Sequence, residues 1–248
     1  GALDSTLTKT TFSQWGPELD ITAPGAGVLS SVPMQSGRDS LVYLMIDGQK
    51  TKIKSVSFAG TKEITTPKIG SLVYAGLGKT DDFAKVNVAG KFALISRGEI
   101  TFADKVKNAQ AAKASGVVIF NNTLGLSQGT LSEDGKTEID YTVVMIEQIE
   151  GQKLIALLNS GKVASTEVST VKTNYALFDG TSMATPHVAG VAALVISTYK
   201  LKHGGKTLKP SEVRALLSQT AQALGPNQDN KYGAGIVQAD RAVAAAAK

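Results

Sequence analysis

The sequence predicts an α/β protein in which a β-rich module interrupts a second, helix-rich one. Three observations carry this reading. Short β-type runs recur between residues 41 and 95, a strand–helix–strand pattern follows from Lys91 to Phe120, and the chain turns alanine- and valine-rich and helical after Thr181. With 248 residues the chain can build one large α/β domain or two smaller ones, each with its own core.

The opening stretch, Phe12 to Gly25, is punctuated by Gly16-Pro17 and Pro24-Gly25 and reads as turn, strand, turn. From about residue 41 to 170 come the runs Leu41–Ile46, Ser71–Ala75 and Lys91–Ile95, separated by Gly and Asp turns. Thr101 to Ser115 reads as a helix stopped by Gly116, and Val117–Phe120 as a buried strand. Together they form a βαβ unit with Leu94 and Ile119 side by side. A further helix is expected over 147–159, ahead of Gly161, and others over 181–201, 211–223 and 239–247. The change of texture places domain boundaries at 1–36, 37–172 and 173–248, so the middle segment looks inserted.

Composition removes several functions. A hydrophobic share of 42% with 19% charged residues fits a folded globular protein. The net charge of +5 is spread along the chain with no basic run interleaved with aromatics, which argues against nucleic-acid binding. The absence of cysteine excludes disulfides, thiolate metal sites and a cysteine nucleophile, and leaves the compartment open. The longest apolar run, Val188 to Ile196, is too short to span a bilayer, so no membrane partner is expected. Residues 1–30 lack the layout of a signal peptide, which puts any targeting signal upstream of Gly1.

The chemistry concentrates in Gly180-Thr181-Ser182-Met183-Ala184-Thr185-Pro186-His187-Val188-Ala189-Gly190. A serine at the start of a helix lies among unpaired N–H groups and a positive partial charge, where it can share a site with a developing oxyanion. Capping chemistry alone offers another role, with Thr181 or Ser182 closing the helix.

The whole string resembles the serine motif of the subtilisin family. Ser13–Gly25 is similar to that family's strand ahead of the serine loop, and Tyr232–Ala239 to its last turn and helix, so about 110 residues are covered. The resemblance implies a serine endopeptidase with Ser182 as nucleophile and its backbone N–H in the oxyanion hole. It also implies the C-terminal part of a three-layer, parallel-sheet catalytic domain, secreted, with structural calcium possible and no cofactor required for the chemistry. The middle segment resembles the protease-associated (PA) domain through Gly90–Gly98, Phe102–Ala109 and Ala114–Asn122. A PA insert so close in the chain to Ser182 is expected to gate or dock substrate.

Subtilisin-like enzymes use Asp, His and Ser in that chain order. Here the histidines are His187 and His203. His187 is structural within the motif, and His203 is expected on the surface. The triad Asp and His, and the oxyanion Asn, are therefore expected from a preceding part of the protease docked as a partner chain; Asn121 and Asn122 do not match that Asn. Alone the chain is expected to be inactive, and the competing expectation is a non-catalytic fragment whose PA domain binds peptide or mediates protein contacts. Asp20 matches a position near a weak cation site, and Asp81-Asp82 is a lone acidic pair, so calcium ligands stay unassigned.

Overall fold

A computed structural model describes residues 1–131 and 138–248. Strands β1 (Ala2–Leu3) and β2 (Ala23–Pro24) open the chain. Strands β3 (Val28–Ser31), β4 (Gly37–Ile46), β5 (Gln49–Ile53), β6 (Ser55–Ser57) and β7 (Ile64–Tyr74) follow. Then come α1 (Thr80–Phe83), β8 (Phe92–Ser96), α2 (Phe102–Ala111), β9 (Gly116–Phe120), β10 (Val143–Ile146), α3 (Gln148–Asn159), β11 (Ala164–Thr173) and β12 (Tyr175–Phe178). Helices α4 (Thr181–Lys202), α5 (Pro210–Thr220) and α6 (Ala239–Ala246) close it.

The chain divides into two compact units, one made of residues 1–28 and 178–248, the other of 29–177. The sequence reading set these edges at 36/37 and 172/173. They fall further out because β3 pairs with β12, and the residues flanking the long β4–β11 ribbon belong to the same body.

The central unit holds an eight-stranded sheet in the order β5-β4-β11-β7-β8-β9-β10-β6. Strands β7, β8, β9 and β10 run parallel, each paired with the next. Their apolar residues face both ways, as a sheet covered on two faces demands. Ala93, Ile95, Val117, Ile119 and Met145 pack with Val106 and Ala109 of α2. Leu94, Val118, Phe120, Val144 and Ile146 pack with Leu154 of α3. The register sets Leu94 opposite Val118 and Ile95 opposite Ile119, correcting the expected Leu94–Ile119 pair. With a side-chain period of two, that one-residue slip puts Leu94 and Ile119 on opposite faces. One of the two edge strands, β5, carries Lys50 and Lys52, exposed charges that discourage pairing with another chain.

The other unit packs α4, α5 and α6 together through Val191, Val195, Val213, Leu217, Ala242 and Ala246. Its small strands β1 and β2 pair in parallel, and Ala2 and Ala23 pack with Ala184 of α4. Residues 232–237 lace the ends of this unit together. Ala234 N–H donates to Asp20 O at 2.8 Å, Thr22 N–H to Gly235 O at 2.9 Å, and Ile236 exchanges two 2.9 Å bonds with Gln222. Gly235, at φ +120°, lies so close to Gln222 that a Cβ would come within 2.0 Å of its carbonyl oxygen.

Candidate active site

Ser182 occupies the first turn of α4, on the side turned away from Ala184, Val191 and Val195, which are buried. A helix this apolar is held by packing, and Ala184 is small enough to let its first turn close onto β1 and β2. Ser182 itself is exposed.

Capping does not claim the hydroxyl. The N-cap is Gly180, no side chain caps the helix, and Ser182 Oγ has no hydrogen bond among the described residues. The Ser182 N–H, at the second helical position, likewise has no backbone acceptor, as expected for one of the first N–H groups of a helix. Its carbonyl is freed as well: Pro186 stands four residues on, lacks an N–H, and crowds the turn that Ser182 opens. Ser182 therefore offers a free hydroxyl, a free N–H and the positive end of the helix dipole within one residue.

The turn ahead of Ser182 is fixed from both sides. Gly180 N–H donates to Gly25 O at 2.7 Å, and Asp179 Oδ1 accepts the Gly27 N–H at 2.7 Å. Position 25 must be glycine because a Cβ there would fall 2.5 Å from Ala2 Cβ and 2.7 Å from Gly180 O. Beside Thr181 lies a groove of about 480 Å³, bordered by Gly1, Glu18, Asp20, Thr185 and Val188, so the first turn is reached from solvent.

The other candidates fall elsewhere. His187 is exposed, and its Nδ1 lies 2.9 Å from Met183 O on its own helix, which occupies the nitrogen within the turn. His203 is half-buried rather than a free surface residue. Its ring stacks on Tyr199 at 4.1 Å, and Nε2 lies 3.3 Å from Ala246 O. At 1.5 Å per residue along α4 it stands about 30 Å from Ser182. Asp20 Oδ1 accepts two bonds from Arg214, at 2.9 and 2.6 Å, so its carboxylate is engaged by a guanidinium. Among the described residues no three His, Asp or Glu side chains cluster as a metal ion would need. Asp82 is used within its own loop, where it accepts the Leu77 and Lys79 N–H groups.

Sequence reasoning gave no role to Asp179, which stands immediately ahead of the serine motif. Its signal was position: an acidic side chain one residue before the N-cap can reach a neighbouring loop.

Residues 149–235 match the model of the subtilase family, and residues 68–154 match that of the PA domain. The chain carries a subtilase segment and a PA domain. The subtilase match begins inside α3, whereas the contacts place α3 and β11 in the PA unit; the contacts define the folded body. C5a peptidase of Streptococcus pyogenes is 29% identical over 246 aligned positions, which take in 81% of this chain and 21% of that protein. Minor extracellular protease Vpr of Bacillus subtilis (strain 168) is 25% identical over 206 positions, 65% of this chain and 24% of that protein. An extracellular protease of Xanthomonas campestris is 45% identical over 96 positions, 39% of this chain and 15% of that protein.

Among solved structures, the psychrophilic subtilisin-like protease Apa1 of the Antarctic Pseudoalteromonas sp. AS-11 superposes with a TM-score of 0.59 at 30% identity. That match covers 98% of this chain and 57% of that one. The subtilase segment thus has a subtilisin-like α/β fold. The chain spans about a fifth of the length of the curated relatives it matches. No helix among the described residues is long and apolar enough to cross a membrane.

Proposed function

We propose that this chain supplies the nucleophile of a secreted serine endopeptidase. Ser182 Oγ attacks the carbonyl of a scissile peptide bond and forms an acyl-enzyme that water then hydrolyses. The observation that carries this is the state of Ser182: its hydroxyl and N–H are both free at the first turn of α4, on a turn fixed by Asp179 and Gly25.

In this reading the Ser182 N–H donates to the oxyanion as the carbonyl becomes tetrahedral. The base that takes the Ser182 proton, the aspartate that orients it and the second oxyanion donor, an asparagine, come from a part of the protease outside these 248 residues. His187 is held by Met183 O and His203 by Tyr199 and Ala246 O. Exposed Leu194 and Leu201 on α4, at 53% and 80%, support a partner segment that covers this helix. Secretion draws support from the names of the Bacillus and Xanthomonas relatives. The PA domain docks protein substrate. No metal takes part in the bond-breaking steps, and any calcium is structural.

A fluorophosphonate probe tests this reading. The chain combined with the catalytic-domain segment that carries Asp, His and Asn is expected to take up one equivalent at Ser182, and the chain alone none. Labelling that survives Ser182→Ala, or an assembled sample in which Ser182 stays unlabelled, overturns it. The second outcome leaves the non-catalytic reading, in which the PA domain binds peptide.

A further inference from the structure

At the carboxyl ends of the four parallel strands, the PA unit spends buried polar groups on holding one surface arginine. Arg97 follows β8 and is half-exposed. Its Nη1 donates to Asn121 Oδ1 at 2.8 Å, and its guanidinium carbon lies 5.8 Å from the centre of the Phe102 ring. Asn121 is 1% exposed and fully used, since its Oδ1 also accepts the Asn122 N–H at 3.0 Å and its Nδ2 donates to Gly125 O at 2.8 Å. Beneath the same turn, Lys105 is 0% exposed and its ammonium donates to Gly98 O at 2.9 Å and to Leu77 O.

Burying an amide and an ammonium opposes folding unless each is hydrogen-bonded, and here both are bonded to the loops of the rim. What they fix in place is a guanidinium whose Nε and Nη2 have no partner among the described residues. The nearby carboxylates do not neutralise it: Glu99 pairs with Lys79, and Glu147 lies 3.7 Å from Lys54. The same rim exposes two large apolar side chains, Leu124 at 78% and Ile149 at 50%, on segments joined by the 3.0 Å bond from Gln148 Nε2 to Asn122 O. In open sheets of parallel strands, ligands settle at this end, where the loops diverge.

We propose that this rim binds an acidic segment of a protein, with the Arg97 guanidinium taking a carboxylate and Leu124 and Ile149 taking a neighbouring apolar side chain. Charge complementarity selects the carboxylate: a guanidinium already fixed on one edge presents its remaining N–H groups to a planar anion at low entropic cost. The site lies wholly within the PA unit and requires nothing of Ser182.

Fluorescein-labelled peptides that carry Leu-Glu or Leu-Gln at their centre, titrated into the 248-residue chain by fluorescence anisotropy, test this. The Glu peptide is expected to bind about tenfold more tightly than its Gln isostere. Arg97→Gln should bring the two to the same weak level, and Arg97→Lys should restore only part of the difference because a fork becomes a point charge. Amide and methyl chemical shifts on adding the Glu peptide should move at Arg97, Asn122, Leu124 and Ile149. Equal binding of both peptides, no binding of either, a preference that survives Arg97→Gln, or shifts mapped elsewhere each overturn the proposal. Because nothing is cleaved in this assay, its failure is distinct from a failure of Ser182 to label.

Discussion

Asp179 Oδ1 accepts the backbone N–H of Gly27 at 2.7 Å, joining residues 152 positions apart and fixing the turn from which Ser182 projects. Removing this acceptor loosens the turn without touching the hydroxyl. Asp179→Ala is expected to cost about 1 kcal/mol of stability in the helical unit. On the proposed role of Ser182, in the chain combined with the segment that carries Asp, His and Asn, it should slow phosphonylation of Ser182 about tenfold or more, because a hydroxyl set slightly out of line loses much of its advantage. Asp179→Asn keeps an acceptor and should fall between. Equal labelling rates in all three proteins would show that the turn is fixed by Gly25 alone.

Tyr141 links the PA unit to alkaline pH. Burial pushes its phenol up to about 12, against an ordinary value of 10.0. Its hydroxyl also donates to Ala114 O at 2.6 Å. In the unfolded chain the phenol loses its proton near 10.0, while the folded protein keeps it to about 12. Across that window the folded state holds more protons, so stability should fall as pH rises. Burial lowers the Lys105 amine from 10.5, which works in the opposite sense below that value. Urea unfolding of the wild type and Tyr141→Phe at intervals from pH 10 to 12 separates the two. The variant should lose the steepest part of the decline, and an unchanged slope would reassign it to another group.

Gly151 tests the packing of α3. A Cβ at this position would lie 2.1 Å from Phe120 Cγ and 2.3 Å from Phe120 Cβ, so the helix cannot keep its seat on β9 if the residue grows. Gly151→Ala is expected to destabilise the PA unit by about 2–3 kcal/mol, overriding the helix propensity that alanine gains. For a unit of this size the thermal midpoint should drop by roughly 5–10 °C, seen by calorimetry. A rise in midpoint would mean that propensity outweighs the steric clash.

The sequence exposed those elements whose apolar residues repeat cleanly. Helix α2 was legible from Phe102, Val106 and Ala109, although it ends at Ala111 and not at Ser115. The stop comes from Lys113, at φ +60°, and Gly116 begins the next strand, where the Phe92 ring would meet a Cβ at 2.5 Å. That close approach belongs to tertiary packing, so a glycine read as a helix stop served a neighbouring strand.

Strand β11 stayed hidden for a related reason. Its inward residues are Ala164, Thr166, Val168 and Thr170, and two hydroxyls among four make a weak hydrophobic signal even though all are fully buried. Thr166 Oγ1 donates to Tyr43 O at 3.2 Å, and Thr170 Oγ1 accepts the Ile64 N–H at 2.7 Å, contacts only a folded sheet can reveal.

At the candidate site the motif named Ser182, yet its free hydroxyl depended on Gly180 taking the N-cap. Arg97 lies within the Gly90–Gly98 stretch that resembles the PA domain. Its fixed orientation was not legible there, because Asn121 and Lys105 come from other elements.

The pairing of β3 with β12 has a consequence for how the chain finds its structure. The helical unit is discontinuous, and bringing its two pieces together across a floppy loop of about 150 residues would cost on the order of 4 kcal/mol in chain entropy. Once the PA unit has folded, β3 and β12 lie one strand spacing apart, roughly 5 Å, and the loop has become a clasp. The guest thus assembles its host: protection from hydrogen exchange should appear in β4, β7 and β11 before α4 and α6 find each other.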